Sequence, residues 1–178
     1  MILESKKSKS PPSQWVRRFA SRVSSDVAVM DLACGTGRHG RLFLEQGNTV
    51  TFVDQNINSL GDLEKNPNVT VIQADLENEP WPFSSQRYGC ITVVNYLWRP
   101  RISQLLCHLD TGGLLLYETF AEGNEEYGRP RNPDFLLRRG ELFERLRGHC
   151  RVLAYEQRTI VDPRPAVIQR VAAIRQKH

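Results

Sequence analysis

Val29-Met30-Asp31-Leu32-Ala33-Cys34-Gly35-Thr36-Gly37 is the stretch that decides the fold. An apolar run carrying one acid turns through two glycines and leads into a helix expected to begin near Arg38. The glycines imply a tight turn and a close approach of ligand to backbone. Extended through Arg38-His39-Gly40, the stretch spells GxGxxG, the fingerprint of a dinucleotide pyrophosphate site. Asp31, four positions before the first glycine, points the other way. A carboxylate repels phosphate, and a pyrophosphate site wants a bare helix N-terminus. The charge suits a cationic ligand.

Working outward, apolar runs recur at Val27–Ala33, Thr49–Val53, Val69–Ala74, Cys90–Leu97 and Leu114–Thr119, separated by turns and helical segments. Their near-continuous apolar character predicts parallel strands covered on both faces. Trp15, Phe19 and Val23, with Val16 and Ala20, predict an amphipathic helix entered through Ser13. Another is expected from Pro100, with Ile102, Leu105, Leu106 and Leu109 on one face and Asp110-Thr111-Gly112-Gly113 as its stop. At the end, Arg151–Val161 and Ala166–Arg175 are joined only by Asp162-Pro163-Arg164-Pro165, which predicts an antiparallel hairpin at the sheet edge. The expected fold class is therefore α/β: a Rossmann-like seven-stranded, mostly parallel sheet with a C-terminal antiparallel hairpin and helices on both faces. Residues 1–12 read as a flexible polar tail and residues 13–178 as a single domain.

Ligands of open α/β sheets bind outside the carboxyl ends of the strands. Asp31, Asp54, Asp75, Asn95 and Glu118 stand at or near those ends, separated by 23, 21, 20 and 23 residues, about one βα unit each. Four carboxylates at one edge suit a ligand with several donors or positive charge. S-adenosylmethionine fits: an acid at Asp31 favours its ammonium and sulfonium. Asp54 can accept from a ribose diol and Asp75 from the adenine amino group.

The stretch 29–37, with Asp54, Gln73-Ala74-Asp75-Leu76, Trp81-Pro82-Phe83, Gly112-Gly113-Leu114-Leu115-Leu116 and the terminal hairpin, resembles the class I S-adenosylmethionine-dependent methyltransferases over roughly residues 26–177. The resemblance implies that Asp31 and the loop of Ala33, Gly35, Thr36 and Gly37 hold the methionine part. It implies Asp54 on the ribose, Gln55 flanking the adenine, Asp75 and Leu76 on the adenine edge, and Asn95 beside the methionine amine. Gly89 departs from the pattern, since many relatives carry an acid there before the fourth strand.

Asn95-Tyr96-Leu97-Trp98-Arg99-Pro100 and the loop-like segment 119–135 are similar to small bacterial, tellurite-resistance-like methyltransferases of mostly unassigned substrate. Directly after the fifth strand, that segment is expected to act as a lid. Tyr96 and Trp98 could stack on a substrate. Arg99, Arg129 and Arg131 could bind an anionic small acceptor through guanidinium forks. The alternative is that Arg129 and Arg131 pair with Glu122, Glu125 or Glu126 within the segment. Methyl transfer is an in-line displacement in which alignment alone can supply roughly 7–11 kcal/mol. Where a general base is needed, Tyr96 and Glu118 stand at the ends of strands four and five.

Composition narrows the function classes. Hydrophobic residues are 40% and charged residues 25%, which excludes wholesale disorder. No apolar run approaches the ~20 residues of a transmembrane helix, and no apolar stretch follows the first lysines, so no membrane span or signal peptide is expected. Half of the net charge of +4 lies in the first ten residues, and six arginines fall between Arg129 and Arg147. That distribution argues against a continuous nucleic-acid face. Cys34, Cys90, Cys107 and Cys150 are widely spaced, predicting reduced thiols, a cytoplasmic setting and no metal site. The expected partner is a small-molecule methyl acceptor, with S-adenosyl-L-methionine as cofactor. Nucleic-acid methylation, NAD binding and a non-catalytic scaffold are the competing readings. Oligomeric state is not specified by these features.

Overall fold

A computed structural model describes residues 10–177, so most of the expected polar tail lies outside the described residues. Seven strands form one sheet: β1 (Val29–Leu32), β2 (Val50–Asp54), β3 (Val69–Gln73), β4 (Tyr88–Val94), β5 (Leu109–Phe120), β6 (Cys150–Ile160) and β7 (Ala166–Arg175). Their order is β3-β2-β1-β4-β5-β7-β6. Strands β1 to β5 run parallel, while β7 lies antiparallel to both β5 and β6. The expected Rossmann-like sheet with its terminal hairpin is present.

Alternation along the strands divides the core into two layers. Met30, Leu32, Ile91, Val93, Leu115 and Tyr117 face one side, under α3 (Ile102–Cys107) and α4 (Glu141–Leu146). Val29, Phe52, Cys90, Leu114 and Leu116 face the other, under α1 (Gln14–Ala20) and α2 (Arg38–Glu45). Burial on both sides is why the central strands read as unbroken apolar runs. Helix α1 begins as expected: the Ser13 hydroxyl accepts from Trp15 N at 3.0 Å.

Several boundaries differ from the sequence expectation for local reasons. Helix α1 stops at Ala20, short of Val23, where the amides of Arg22 and Val23 bond three residues back. Strand β4 ends at Val94, short of Leu97, because Asn95 turns left-handed at φ 59°. Asp110-Thr111-Gly112-Gly113 does not stop a helix. Helix α3 ends at Cys107, and these residues enter β5 through an irregularity that takes the register from Tyr88↔Leu109 to Cys90↔Leu114. Gly112, at φ 82°, supplies the conformation.

The expected alternation of strand and helix also lapses. Between β2 and β3 there is only a 3-10 turn, Asn58–Leu63, and between β3 and β4 no helix at all. Pro80 and Pro82 oppose a helix there. Helix α4, unread from the sequence, buries Leu142 and Leu146 four residues apart.

The segment expected as a lid continues β5 to Phe120 and then makes two 3-10 turns, Asn124–Glu126 and Pro133–Phe135. Its base is fastened. Leu137 N donates to Phe120 O and Glu122 N to Leu137 O, while buried Asn124 bonds Pro130 O and Val167 N. Among the described residues, no helix is long and apolar enough to cross a membrane.

Candidate active site

The loop after β1 is built on positive φ. Ala33 (52°), Gly35 (55°) and Gly37 (71°) are all left-handed. For Ala33 this costs of order 1–2 kcal/mol and needs a surrounding that enforces it. Asp54, at the end of β2, supplies one restraint: its Oδ2 accepts from Gly35 N at 2.7 Å and its Oδ1 from Asn56 N at 2.9 Å. The three glycines of GxGxxG do different work. A Cβ on Gly40 would lie 2.3 Å from the Phe52 ring, and one on Gly37 within 2.9 Å of Leu60 and Phe52, so both let α2 pack on β2. A Cβ on Gly35 would meet nothing within 4 Å. Space for a ligand lies above Gly35.

Beside this loop, at the carboxyl edge of the sheet, opens a cleft of about 220 Å³. Ala33 lines it from β1, Asp54 and Gln55 from β2, Asp75, Leu76 and Glu77 from β3, and Asn95 and Tyr96 from β4. Six of the residues expected at a cofactor (Ala33, Asp54, Gln55, Asp75, Leu76, Asn95) are thus brought together, with Tyr96 from the catalytic candidates. Among the described residues, the two non-glycine residues at positive φ, Ala33 and Asn95, both lie on this lining. Backbone strain collects at functional sites when the rest of the fold enforces it.

Asp31 does not line the cleft. It is 1% exposed beneath the loop, with Oδ2 accepting from Gly40 N at 2.8 Å and Oδ1 without a partner among the described residues. Burial pushes its carboxyl up to about 7, against the Gly40 amide and Arg38, which lower it, and with Asp54, which raises it further. The resemblance implies that Asp31 helps hold the methionine part, but in the structure its carboxyl is sealed beneath the loop with no face on the cleft. What it can exert is a field through the loop. Gly35, Thr36 and Gly37 likewise stand outside the lining.

Asp75 is occupied by its own turn. Its Oδ1 accepts from Glu77 N and Asn78 N and its Oδ2 from Asn78 Nδ2, contacts that hold the carboxyl below its usual range. Glu77, which the sequence reading missed, adds a carboxyl raised by burial and by Asp75. Its only sequence signal is its place two residues after Asp75. The Tyr96 hydroxyl is buried without a partner among the described residues, and burial followed by the charges of Glu77 and Asp75 raises its pKa. A phenol held protonated in this way is a hydrogen-bond donor and a poor base.

The remaining candidates are placed elsewhere. Glu118 faces α1, and its Oε2 lies 3.4 Å from Nη1 of Arg170, whose Nε and Nη2 bond Glu156 and whose guanidinium stacks over Trp15. Trp98 is half-buried and off the cleft lining. Arg99 is a clamp. It donates through Nε and Nη2 to Glu141, and to the carbonyls of Asp134 and Leu136. Burial raises the Glu141 carboxyl, but Arg99, the Arg138 amide and Arg145 together outweigh it and bring it to about 2. Arg99 is thereby turned inward, away from any acceptor. Arg129 and Arg131 are exposed, and among the described residues neither forms an ion pair with Glu122, Glu125 or Glu126.

The sheet order, the hairpin and a cleft at the switch between β1 and β4 define the class I methyltransferase fold. Comparison with known proteins agrees. Residues 29–112, a little under half of the chain, match the family model described as "Methyltransferase domain". The resemblance carried by the motifs is borne out at that level. The structure is similar to TehB from Haemophilus influenzae (TM-score 0.72, 23% identity), covering 91% of this chain and 61% of that one. The chain therefore spans about three fifths of the length of that protein. It is also similar to Burkholderia thailandensis 1,6-didemethyltoxoflavin-N1-methyltransferase (0.69, 17%, covering 91% and 76%), solved with S-adenosylhomocysteine bound. A third similar structure is the N-methyltransferase NodS from Bradyrhizobium japonicum WM9 (0.69, 13%, covering 92% and 93%). No curated protein matches the sequence.

Proposed function

We propose that the chain binds S-adenosyl-L-methionine in the cleft at the ends of β1–β4 and supports methyl transfer to a small acceptor. One observation carries this: the cleft gathers the carboxyls of Asp54, Asp75 and Glu77 beside the open face of Gly35. That acid-rich lining suits a cationic ligand with a diol and an amino-substituted base, and repels a pyrophosphate. The cofactor supplies an activated sulfonium methyl. The chain's residues bind and orient around it. Asp54, fixed by Gly35 and Asn56, faces the ribose, and the Asp75–Leu76 wall faces the adenine. Asp31 supplies negative field beneath the methionine part. Tyr96 acts as a donor instead of a base. An anionic acceptor is the finer reading, supported by Arg129 and Arg131, which are exposed and have no ion-pair partner among the described residues.

Calorimetry with S-adenosylhomocysteine tests the cofactor site. Asp54→Ala is expected to abolish most binding, since it removes both the diol acceptor and the restraint on Gly35. Unchanged affinity overturns the ribose assignment. A metabolite screen following conversion of S-adenosylmethionine to S-adenosylhomocysteine identifies the acceptor. If Arg129→Ala leaves turnover of an anionic acceptor unchanged, the recognition by that arginine is refuted.

A further inference from the structure

The crossing from β3 to β4 has no helix, yet its first residues form one wall of the cleft. A bare loop of this kind needs an external restraint to keep a fixed shape. Part of that restraint is internal. Asp75 O accepts from Glu79 N, Asp75 Oδ1 accepts from Glu77 N, and Glu79 Oε2 accepts from Asp75 N. The rest comes from Arg101, in the 3-10 turn that precedes α3. Its Nε donates to Leu76 O at 3.0 Å and its Nη2 to Glu79 O at 2.7 Å. The guanidinium also stacks over the Trp81 ring at 5.6 Å and bonds Gln104. Trp81 is itself fixed by donating Nε1–H to His108 Nε2 at 2.8 Å.

These bonds fix the peptide planes on both sides of Leu76. Leu76 lines the cleft, and its N–H makes no hydrogen bond among the described residues. An oriented, unpaired donor beside the Asp75 acceptor matches the edge of a 6-aminopurine, which offers a ring acceptor next to an amino donor. We propose that Arg101 is a positioning residue for base recognition: by gripping the carbonyls of Leu76 and Glu79 it aims the Leu76 N–H at the ring nitrogen of a bound adenine. This rests on the reading of the cleft as an S-adenosylmethionine site. Arg101 does not touch the ligand itself.

The test compares S-adenosylhomocysteine with S-inosylhomocysteine, whose base carries a proton at that ring nitrogen and an oxo group in place of the amine. Affinities are measured by calorimetry for the unaltered chain, Arg101→Ala and Arg101→Lys. The unaltered chain is expected to favour the adenine form by roughly tenfold or more. Arg101→Ala is expected to weaken the adenine form by about tenfold and bring the preference close to one. Arg101→Lys keeps the charge but not the planar fork, so it restores only part of the preference and guards against a variant that fails to fold. Retention of the full preference in both variants overturns the proposal, even if both affinities fall together. If the unaltered chain binds neither compound, the cofactor reading fails and the proposal with it. Binding by the unaltered chain with no change in the variants sinks the proposal alone.

Discussion

Replacing Asp31 with Asn should change how stability depends on pH, and the sign can be worked from two buried groups. Asp31 has its carboxyl raised to about 7 by burial. Such a group binds its proton more tightly folded than unfolded, so it stabilises at low pH and loses that contribution as pH rises toward 7. With an unfolded value near 3.8, the contribution falls by about 2.5 kcal/mol between pH 5 and pH 8. His39, 4% exposed, runs in the opposite sense: burial, then the Arg38 charge, lowers its imidazole from 6.5 to about 3. Its contribution is intact above the unfolded value and is lost as pH falls below it, by about 2 kcal/mol at pH 5. The two nearly cancel. The unaltered, ligand-free chain should therefore melt at almost the same temperature at pH 5 and pH 8 as far as these groups decide it. In Asp31→Asn the amide oxygen can still accept from Gly40 N, while the titration is gone. The variant should then gain about 2 kcal/mol from pH 5 to pH 8, roughly 4–8 °C in Tm for a domain of this size. Thermal melts monitored by circular dichroism across that range measure it. Parallel curves for the unaltered chain and Asp31→Asn would refute the coupling of burial to protonation at Asp31.

Three further substitutions probe the glycines and the clamp. Gly40→Ala places a Cβ 2.3 Å from the Phe52 ring and should destabilise by about 1–3 kcal/mol. Gly35→Ala meets no atom and should cost only the strain of its positive φ, about 1 kcal/mol, yet weaken S-adenosylhomocysteine binding. Chemical denaturation and calorimetry on the pair separate packing from ligand approach, and equal stability losses would contradict this division. Arg99→Met should cost about 3 kcal/mol, because Glu141 loses its principal charge partner in a partly buried setting. Its binding of S-adenosylhomocysteine should stay near that of the unaltered chain. A urea melt within 0.5 kcal/mol of the unaltered chain would show that the clamp carries no weight.

Much of the site was legible because its signals are local. The acid and glycines of 29–37 lie within one turn, and Asp54, Asp75 and Asn95 recur at the spacing of a βα unit, which parallel register carries to one edge. The apolar runs and the Asp162–Pro165 connection likewise specify strands and hairpin by period and turn chemistry. What a side chain does after reaching that edge is a different matter. Asp31 and Asp54 read alike in the sequence, yet one is sealed under the loop and the other lines the cleft, since depth is set by how α2 packs on Phe52. Arg99 read as a free guanidinium, but its partner Glu141 stands 42 residues away on a helix with only two buried leucines to announce it. Arg101 gave no signal, because it acts on backbone carbonyls 25 and 22 residues upstream, and carbonyls leave no trace in a sequence. Periodicity and turns determined where the strands lie along the chain and which residues stand at their carboxyl ends. Only tertiary packing decided which carboxyls are buried and which arginines are occupied, because those depend on contacts between segments that no local pattern brings together.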